Sequence, residues 1–352
     1  MTHASRPSTL STLGEFGLIR KLEKHCQTLN TNVIQGIGDD AAILQTSPKE
    51  SLIASKDLAI EGIHFDLRFE NPKDIGYRTV VANMSDMAAM GAVPKFILVA
   101  LAVPRSYSLD SLQAIYRGFK EACREHNISL VGGDTSASQS GLFLSITILG
   151  QVKKNRALRR QGAKVGDLVC VTGTLGDSRA GLEILKRQVP RKKTVALRPY
   201  ESFLKKRHLK PTARLLLGQY LSQHRLAHAA IDISDGLSGD LSHLCQASHV
   251  GVELRANDLP ISRQCHIYAT ANDLDPFDFA LIGGEDYELL FTIHRRHQSK
   301  LANLSRMVKT PITCIGIIKP KSFGLRLTLE DGTSQNISNR SYNHFSSHRP
   351  KN

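Results

Sequence analysis

Two kinds of hydrophobic pattern alternate along this chain, and each predicts a different secondary-structure element. Apolar runs bounded by turn residues predict buried strands at 51–55, 143–152, 167–173, 229–233 and 287–293. Breaker-free or amphipathic segments predict helices at 74–90, 109–126, 178–187 and 212–223, with another starting at Asp235. The apolar face of helix 109–126 would comprise Leu109, Leu112, Ile115, Tyr116, Phe119, Ala122 and Cys123, with Ser108 as N-cap. The alternation indicates α/β layers in both halves of the chain.

The pattern also predicts where the chain divides. The strand at 143–152 gives way abruptly to a polar, cationic run at 153–164, and a new strand follows. A length of 352 residues also favours two domains. We therefore predict an N-terminal domain over 1–152 and a C-terminal α/β domain over 153–352. The longest apolar run, 96–103, is far shorter than the ~20 residues of a membrane helix, and the polar start resembles no secretion signal, so we expect a soluble, cytoplasmic protein.

Charge and cysteine content narrow the class of protein. The formal net charge is +14, and most of it lies between residues 151 and 210. The chain has no Trp for base stacking, and no RNA-binding signature accompanies the basic stretch. We favour a basic surface for phosphate-bearing small molecules together with a solvated loop, and consider nucleic-acid binding the weaker interpretation. The six cysteines form no CxxC pair, which predicts reduced thiols and no zinc site.

Acidic residues recur beside small residues at predicted turns and strand ends. The segments are GIGDDAA at 36–42, SKD at 55–57, NMSD at 83–86, GGDT at 132–135, DISD at 232–235 and GGED at 283–286. Each alone is ordinary turn chemistry. Because strand-end loops of an α/β layer meet at one edge, we expect these carboxylates to converge in one crevice. Clustered carboxylates without Cys or His favour Mg²⁺, which commonly completes its coordination with substrate phosphates.

Three familiar phosphate-binding patterns do not account for this set. The chain has no GxxxxGK[ST] P-loop and lacks the protein-kinase motifs. Residues 36–41 fit GxGxxA, but Pro48 comes too soon for the helix that a dinucleotide-binding fingerprint requires. Another metal-dependent phosphoryl-transfer enzyme is the remaining interpretation.

The ordered motifs resemble the thiamine-monophosphate kinase family. They are GEF at 14–16, GIGDDAA at 36–42, EGIHF at 61–65, NMSDMAAMGA at 83–92, VGGDTS at 131–136, DISDGL at 232–237, GGEDYEL at 283–289 and SYNHF at 341–345. The set spans nearly the whole chain in the family's order. Aminoimidazole ribonucleotide synthetase and selenophosphate synthetase belong to the same superfamily. The first is disfavoured by EGIHF and GGEDYEL, and the second by the lack of a Cys or Lys in a glycine-rich N-terminal loop.

The resemblance implies a fold, an activity and a set of site residues. The fold would be two α/β domains of the aminoimidazole ribonucleotide synthetase-like type, with an N-terminal metal- and ATP-binding domain that pairs into a homodimer across a shared sheet. The activity would be ATP-dependent phosphorylation of thiamine monophosphate to thiamine diphosphate, the last step of that coenzyme's synthesis. The matched positions are Asp40, Ser55, Asp57, Asp86, Asp134, Asp232 and Asp235 for several Mg²⁺ ions, Gly133, Asp134, Arg160 and Ser234 for ATP, and His64, Glu285 and Tyr342 for thiamine phosphate.

The sequence departs from the family pattern at two places. Lys56 occupies a metal-site position that is usually Thr, so it is counted with the metal positions through its backbone carbonyl or as a substitute cation. SYNHF replaces the usual GYDHF around Tyr342. No catalytic base is expected, because a phosphate monoester with its second pKa near ~6 is already a dianionic nucleophile. Direct transfer without a phosphoenzyme follows from this.

Overall fold

The computed structural model describes Ile19 and residues 31–188 and 198–338. The motifs at 14–16 and 341–345, including Tyr342, lie outside these residues. None of the helices in the described part is long and apolar enough to cross a membrane.

Residues 31–153 form a six-stranded sheet with two helices. The strands lie in the order β1-β2-β3-β6-β4-β5, and only β4 and β5 pair in parallel. The bounds are β1 (Val33–Gln35), β2 (Ala42–Gln45), β3 (Glu50–Ile60), α1 (Pro72–Ala89), β4 (Val93–Pro104), α2 (Leu109–Glu125), β5 (Ser129–Ser138) and β6 (Phe143–Lys153).

The second half forms a seven-stranded sheet in the order β13-β12-β9-β11-β7-β10-β8, in which only β9 and β12 pair in parallel. Its strands are β7 (Leu168–Thr172), β8 (Ala227–Ile233), β9 (Val250–Arg255), β10 (Glu288–Ile293), β11 (Ile312–Pro320), β12 (Leu325–Thr328) and β13 (Ser334–Asn336). Its helices are α3 (Asp177–Gln188), α4 (Pro199–Leu209), α5 (Leu215–Gln223), α6 (Leu237–Ser248), α7 (Arg263–Ala271), α8 (Pro276–Ile282) and α9 (Leu301–Val308).

Both sheets are therefore mostly antiparallel, and this corrects one expectation. The predicted acidic residues do not meet as strand-end loops along one edge of a parallel sheet. Ser55 and Asp57 lie within β3, Asp134 lies within β5, and Asp86 lies inside α1. The predicted elements are present near their expected positions, but several others, including β4 and β5, were not predicted, and neither were the order and direction of the strands.

Helix α1 is the element that joins the two halves. Asn71 caps it by accepting a hydrogen bond from the Lys73 backbone N–H. The helix contacts α2, β3 and β6 on one side and α5, β8 and β10 on the other. It crosses α2 at glycines, since a Cβ on Gly76 would lie 2.2 Å from the Ile115 carbonyl oxygen. A helix enclosed on all sides must bury polar residues too, and these supply part of the site described below.

The predicted amphipathic helix is confirmed as α2, but its apolar face is narrower than expected. Ser108 caps it, with its Oγ accepting from the Ser111 backbone N–H at 3.1 Å. Ile115 and Phe119 are buried, whereas Leu109 is 68% exposed and Tyr116 is 40% exposed. Leu109 and Tyr116 therefore lie at the surface of the described protomer.

Three predicted boundaries were wrong, and two of them have a clear physical cause. The run at 51–55 is part of the longer strand β3, which continues through polar residues because it pairs with β6 along its whole length. The helix expected from residue 212 begins at Leu215. The helix expected from Asp235 begins at Leu237, because Gly236 has φ +105° and cannot continue a helix in that conformation.

Candidate active site

Three carboxylates converge where the two halves meet. Asp40 lies in the loop between β1 and β2, Asp86 in the last turn of α1, and Asp232 near the end of β8. One oxygen from each lies within 4.8 Å of the others. Asp40 and Asp232 are buried, and Asp86 is partly buried. The structure thus brings together three of the predicted metal positions from segments that are distant in sequence.

Strand β3 adds two more predicted residues to this carboxylate cluster. The Ser55 Oγ lies 2.5 Å from Asp86 Oδ2 and 3.1 Å from the Asp40 carbonyl oxygen. Asp57 lies two residues further along and therefore on the same side of the strand as Ser55. Asp40 acts on the Asp57 carboxyl electrostatically, which places both in one acidic environment.

Burial and mutual repulsion raise the pKa values of these carboxyl groups. Burial raises the pKa of Asp57 to about 6 and of Asp232 to about 7, and the Asp40 carboxylate contributes to both shifts. Burial also raises the pKa of Asp86 well above its usual value, with Asp57, Asp232 and Asp40 adding to the shift. In the described part of the chain, the buried Asp40 Oδ2 has no hydrogen-bond partner. Oxygen ligands that repel one another, one of them unsatisfied, fit a hard divalent cation such as Mg²⁺.

Arg160 borders the cluster and neutralises part of it. Its Nε donates to Asp40 Oδ1 at 3.0 Å, and its Nη2 contacts the same oxygen. Its backbone N–H faces both carboxylate oxygens of Asp39 at 3.3 Å. Burial and the adjacent Asp40 raise the pKa of Asp39 to about 6, so Asp39 belongs to the same environment although it was not among the predicted site residues.

Lys56 has a different environment from its two neighbours. Its Nζ lies 3.3 Å from Thr147 Oγ1, and the side chain is exposed. Strand alternation explains this, because Ser55 and Asp57 face α1 and Lys56 takes the opposite side of β3. Its ammonium therefore does not join the carboxylate cluster.

Gly133 and Asp134 lie on the edge strand β5, away from the three carboxylates. Asp134 is exposed, pairs opposite Ala100, and accepts a hydrogen bond from the Thr135 N–H at 2.9 Å. A Cβ on Gly133 would lie 1.8 Å from the Val99 carbonyl oxygen, so the close approach of β5 to β4 requires glycine there. A ligand that contacts both Asp134 and the carboxylate cluster would have to span the distance between them.

The DISD loop holds Ser234 and Asp235 in place through a residue that the sequence analysis missed. Asp240, in the first turn of α6, accepts hydrogen bonds from the backbone N–H groups of Ser234 and Asp235, both at 3.1 Å. Burial raises its pKa well above the usual value, and Asp235 and Asp232 add to the shift. The sequence feature that could have identified Asp240 is its position as an acidic residue in the first turn of the helix that follows DISDGL.

His64 and Glu285, the two described residues that are predicted to contact thiamine phosphate, lie on separate loops. His64 Nδ1 accepts a hydrogen bond from the Ile60 N–H at 3.0 Å, which shapes the turn after β3. Glu285 has φ +64° and donates its backbone N–H to the Ser234 carbonyl oxygen at 2.8 Å. Its carboxylate is 28% exposed. Glu285 therefore lies beside the DISD loop.

A groove next to β5 is a second feature that sequence reasoning missed. Its volume is about 670 Å³. The residues that line it are Gln113, Tyr116, Arg117, Lys120, Cys123, Arg124, Ile128 and Leu130. Tyr116 had been assigned to the buried face of α2, so its role in the groove could not be anticipated from the helical pattern.

Comparison with known proteins establishes the family. The N-terminal domain model of AIR synthase related proteins matches residues 38–152, and the C-terminal domain model matches residues 164–308. Thiamine-monophosphate kinase from Buchnera aphidicola is 38% identical, over 94% of this chain and 98% of the relative. The Bacillus subtilis enzyme is 34% identical, over 95% of this chain and 100% of the relative. The chain belongs to the thiamine-monophosphate kinase family.

Solved structures agree with this family membership. AaThiL complexed with AMPPCP and TMP superposes with a TM-score of 0.83 and 35% identity, covering 97% of this chain and 100% of that one. The thiamine-monophosphate kinase from Stenotrophomonas maltophilia K279a gives a TM-score of 0.73 and 37% identity, covering 90% and 96%. The family and the two-domain fold class predicted from the motifs are therefore confirmed.

Proposed function

We propose that this protein transfers the γ-phosphoryl group of ATP to thiamine monophosphate and so forms thiamine diphosphate. The observation that carries the proposal is the convergence of Asp40, Asp86 and Asp232 in a chain of this family. AaThiL has been solved with AMPPCP and TMP together. The carboxylate cluster supplies what the transfer of a phosphoryl group between two anions requires, which is a place for divalent cations.

Mg²⁺ would be held by the carboxylate cluster, with Asp40, Asp86 and Asp232 as the principal ligands and Ser55 and Asp57 beside them. The remaining metal positions carried over from the family are the Lys56 backbone, Asp134 and Asp235. Bound Mg²⁺ supplies charge neutralisation for the phosphates and for the transferring group. These residues hold and orient, and none of them needs to form a covalent intermediate.

Proton transfer is not required of the protein in this reaction. The acceptor phosphate is largely dianionic at neutral pH because its second pKa is near ~6. Its oxygen can attack the γ-phosphorus directly, so the protein contributes alignment and electrostatic stabilisation. This agrees with a site rich in carboxylates, and we assign no catalytic base and no phosphoenzyme.

The nucleotide would contact the matched family positions on β5 and at the carboxylate cluster. Gly133 and Asp134 lie along β5, while Arg160 and Ser234 lie at the cluster. The acceptor would contact His64 and Glu285, and Tyr342, outside the described residues, stays a prediction from the family motif.

We further propose a cytoplasmic homodimer built on the N-terminal domain, 1–152, with 153–352 as the second domain. Leu58, Phe96, Leu98 and Val131 are 37–56% exposed on β3, β4 and β5, an apolar area that a second copy would cover. Light scattering of the purified protein should give twice the chain mass of 38.8 kDa. A monomer at micromolar concentration would contradict this assignment.

The activity is tested by incubating purified protein with ATP, Mg²⁺ and thiamine monophosphate. We expect stoichiometric thiamine diphosphate and ADP, and less than about a hundredth of that rate with thiamine, which has no phosphate nucleophile. EDTA provides the metal control. Failure to form thiamine diphosphate, from protein shown to bind Mg²⁺·ATP, would contradict the assigned acceptor.

A further inference from the structure

Arg78 is a buried arginine that connects the two loops carrying the acceptor contacts. It lies within α1, and only 5% of its side chain is exposed. Its Nη2 donates to the His64 carbonyl oxygen at 2.8 Å, and its Nη1 donates to Glu285 Oε2 at 3.2 Å. One guanidinium therefore joins the turn after β3 to the GGED loop. The two loops are 221 positions apart if counted from His64 to Glu285.

The surroundings of Arg78 hold it in a single orientation. Glu70 Oε2 accepts from Nη2 at 2.7 Å, and the His208 ring contacts Nη1. The Ser178 Oγ lies 3.0 Å from His208 Nδ1 and so restrains the ring. Burial and the adjacent Arg78 lower the pKa of His208 well below its usual value, so the ring is neutral and adds no competing charge.

Glu285 is held by only one of its two oxygens. Arg78 and His208 both approach Oε2, at 3.2 Å and 3.5 Å. Among residues 31–188 and 198–338, no group bonds Oε1, and the carboxylate is partly exposed. A carboxylate oxygen in this position suits a cationic or N–H-bearing part of a ligand.

We propose that Arg78 is a positioning residue for thiamine monophosphate, the phosphoryl acceptor. Arg78 holds Oε2 of Glu285 so that Oε1 meets the cationic thiamine moiety. Its bond to the His64 carbonyl aligns the turn after β3. The inference rests on the proposed function for the identity of the acceptor. The planar guanidinium makes these contacts from two nitrogens at fixed angles. A lysine ammonium keeps the charge but cannot reproduce that fork.

The test is binding of thiamine monophosphate by calorimetry, together with the separate KM values for the two substrates. We expect Arg78→Lys to raise the Kd and KM for thiamine monophosphate by about tenfold, the loss of one charge-assisted hydrogen bond, and to leave the KM for ATP within about twofold. In a Glu285→Gln background, Arg78→Lys should cost less than it does in the wild type, because the charged Glu285 contact is already lost and only the alignment through the His64 carbonyl remains. Unchanged acceptor affinity in folded Arg78→Lys protein, or fully additive effects, would overturn the inference.

Two further variants separate positioning from general stability. Arg214→Lys is the matched control, because Arg214 also pairs with a buried carboxylate, Glu288, but bonds neither Glu285 nor the His64 carbonyl. It should lower the melting temperature and leave the acceptor Kd unchanged. Glu285→Asp keeps the charge but shortens its reach to Arg78, so it should weaken acceptor binding as Arg78→Lys does. It serves as the test if Arg78→Lys fails to fold. Wild-type affinity in Glu285→Asp would overturn the inference.

The outcomes also separate this inference from the proposed function. If the wild-type protein binds thiamine monophosphate in an Arg78-dependent way but forms no product, the proposed reaction is wrong and the role of Arg78 stands. If the wild-type protein makes thiamine diphosphate and Arg78→Lys is indistinguishable from it, the role of Arg78 is wrong and the reaction stands. Absence of both binding and turnover in the wild-type protein overturns both.

Discussion

Asp86→Asn is expected to lower kcat on the order of a thousandfold, because it removes a charged metal ligand from the centre of the carboxylate cluster. The amide keeps the size of the side chain and an oxygen facing Ser55 Oγ, so the fold should persist. Measured kcat with saturating Mg²⁺, ATP and thiamine monophosphate checks the prediction. Asp110→Asn is the matched control, because Asp110 is an exposed aspartate in the first turn of α2. Retention of more than about a tenth of kcat in Asp86→Asn would contradict a role in metal binding.

The same substitution should stabilise the protein in the absence of metal. The folded-state pKa of Asp86 is raised, so its carboxyl group favours folding at low pH, and that contribution is lost as the pH rises through the folded-state pKa. An uncharged amide avoids the loss. The melting temperature of metal-free Asp86→Asn at pH 7.5 should therefore exceed that of the wild type by a few degrees. A lower melting temperature would indicate that Asp86 serves the fold rather than the site.

Removing divalent metal is expected to abolish turnover altogether and to destabilise the protein. Asp40, Asp57, Asp86 and Asp232 repel one another within a partly desolvated site, and Arg160, which bonds Asp40 and acts electrostatically on Asp232, offsets only part of that charge. Mg²⁺ at a hundredfold excess over its Kd should add about 2.7 kcal/mol to the free energy of unfolding. Activity and melting temperature measured across an Mg²⁺ titration after EDTA treatment check this.

The Asp86→Asn protein provides the control for the metal titration. Its melting temperature should respond much less to Mg²⁺ than that of the wild type. Turnover that survives EDTA, or equal Mg²⁺ shifts in the two proteins, would show that the carboxylate cluster does not hold the metal on which catalysis depends.

The local elements of the fold were within reach of sequence reasoning. The helical spacing of residues 109–126 predicted α2 and its Ser108 cap, and the apolar run at 143–152 predicted β6. Strand direction was not within reach, because the same run of apolar residues serves a parallel or an antiparallel neighbour. The acidic segments were expected at turns and strand ends, but Asp57 and Asp134 lie inside strands.

The basic stretch at 151–210 also had one feature that the sequence predicted and one that it did not. Its composition predicted a solvated surface for phosphates, and Lys153 is indeed exposed. The structure instead uses two of its arginines internally, since Arg160 bonds Asp40 and Arg207 bonds the buried Glu288. Charge along the sequence does not reveal which cations find carboxylate partners, because the partners lie 120 and 81 positions away.

By itself the sequence determined the family and the two α/β halves, and it predicted the acidic residues of the candidate site, because ordered motifs and hydrophobic period are local properties of the chain. Only the tertiary structure decided which of those residues act together. It brought Asp40, Asp86 and Asp232 into one cluster, placed the Lys56 ammonium elsewhere, and joined Arg78 to Glu285. These outcomes depend on burial and on contacts across long stretches of chain, which set both the charge state of a carboxyl group and the partner it meets.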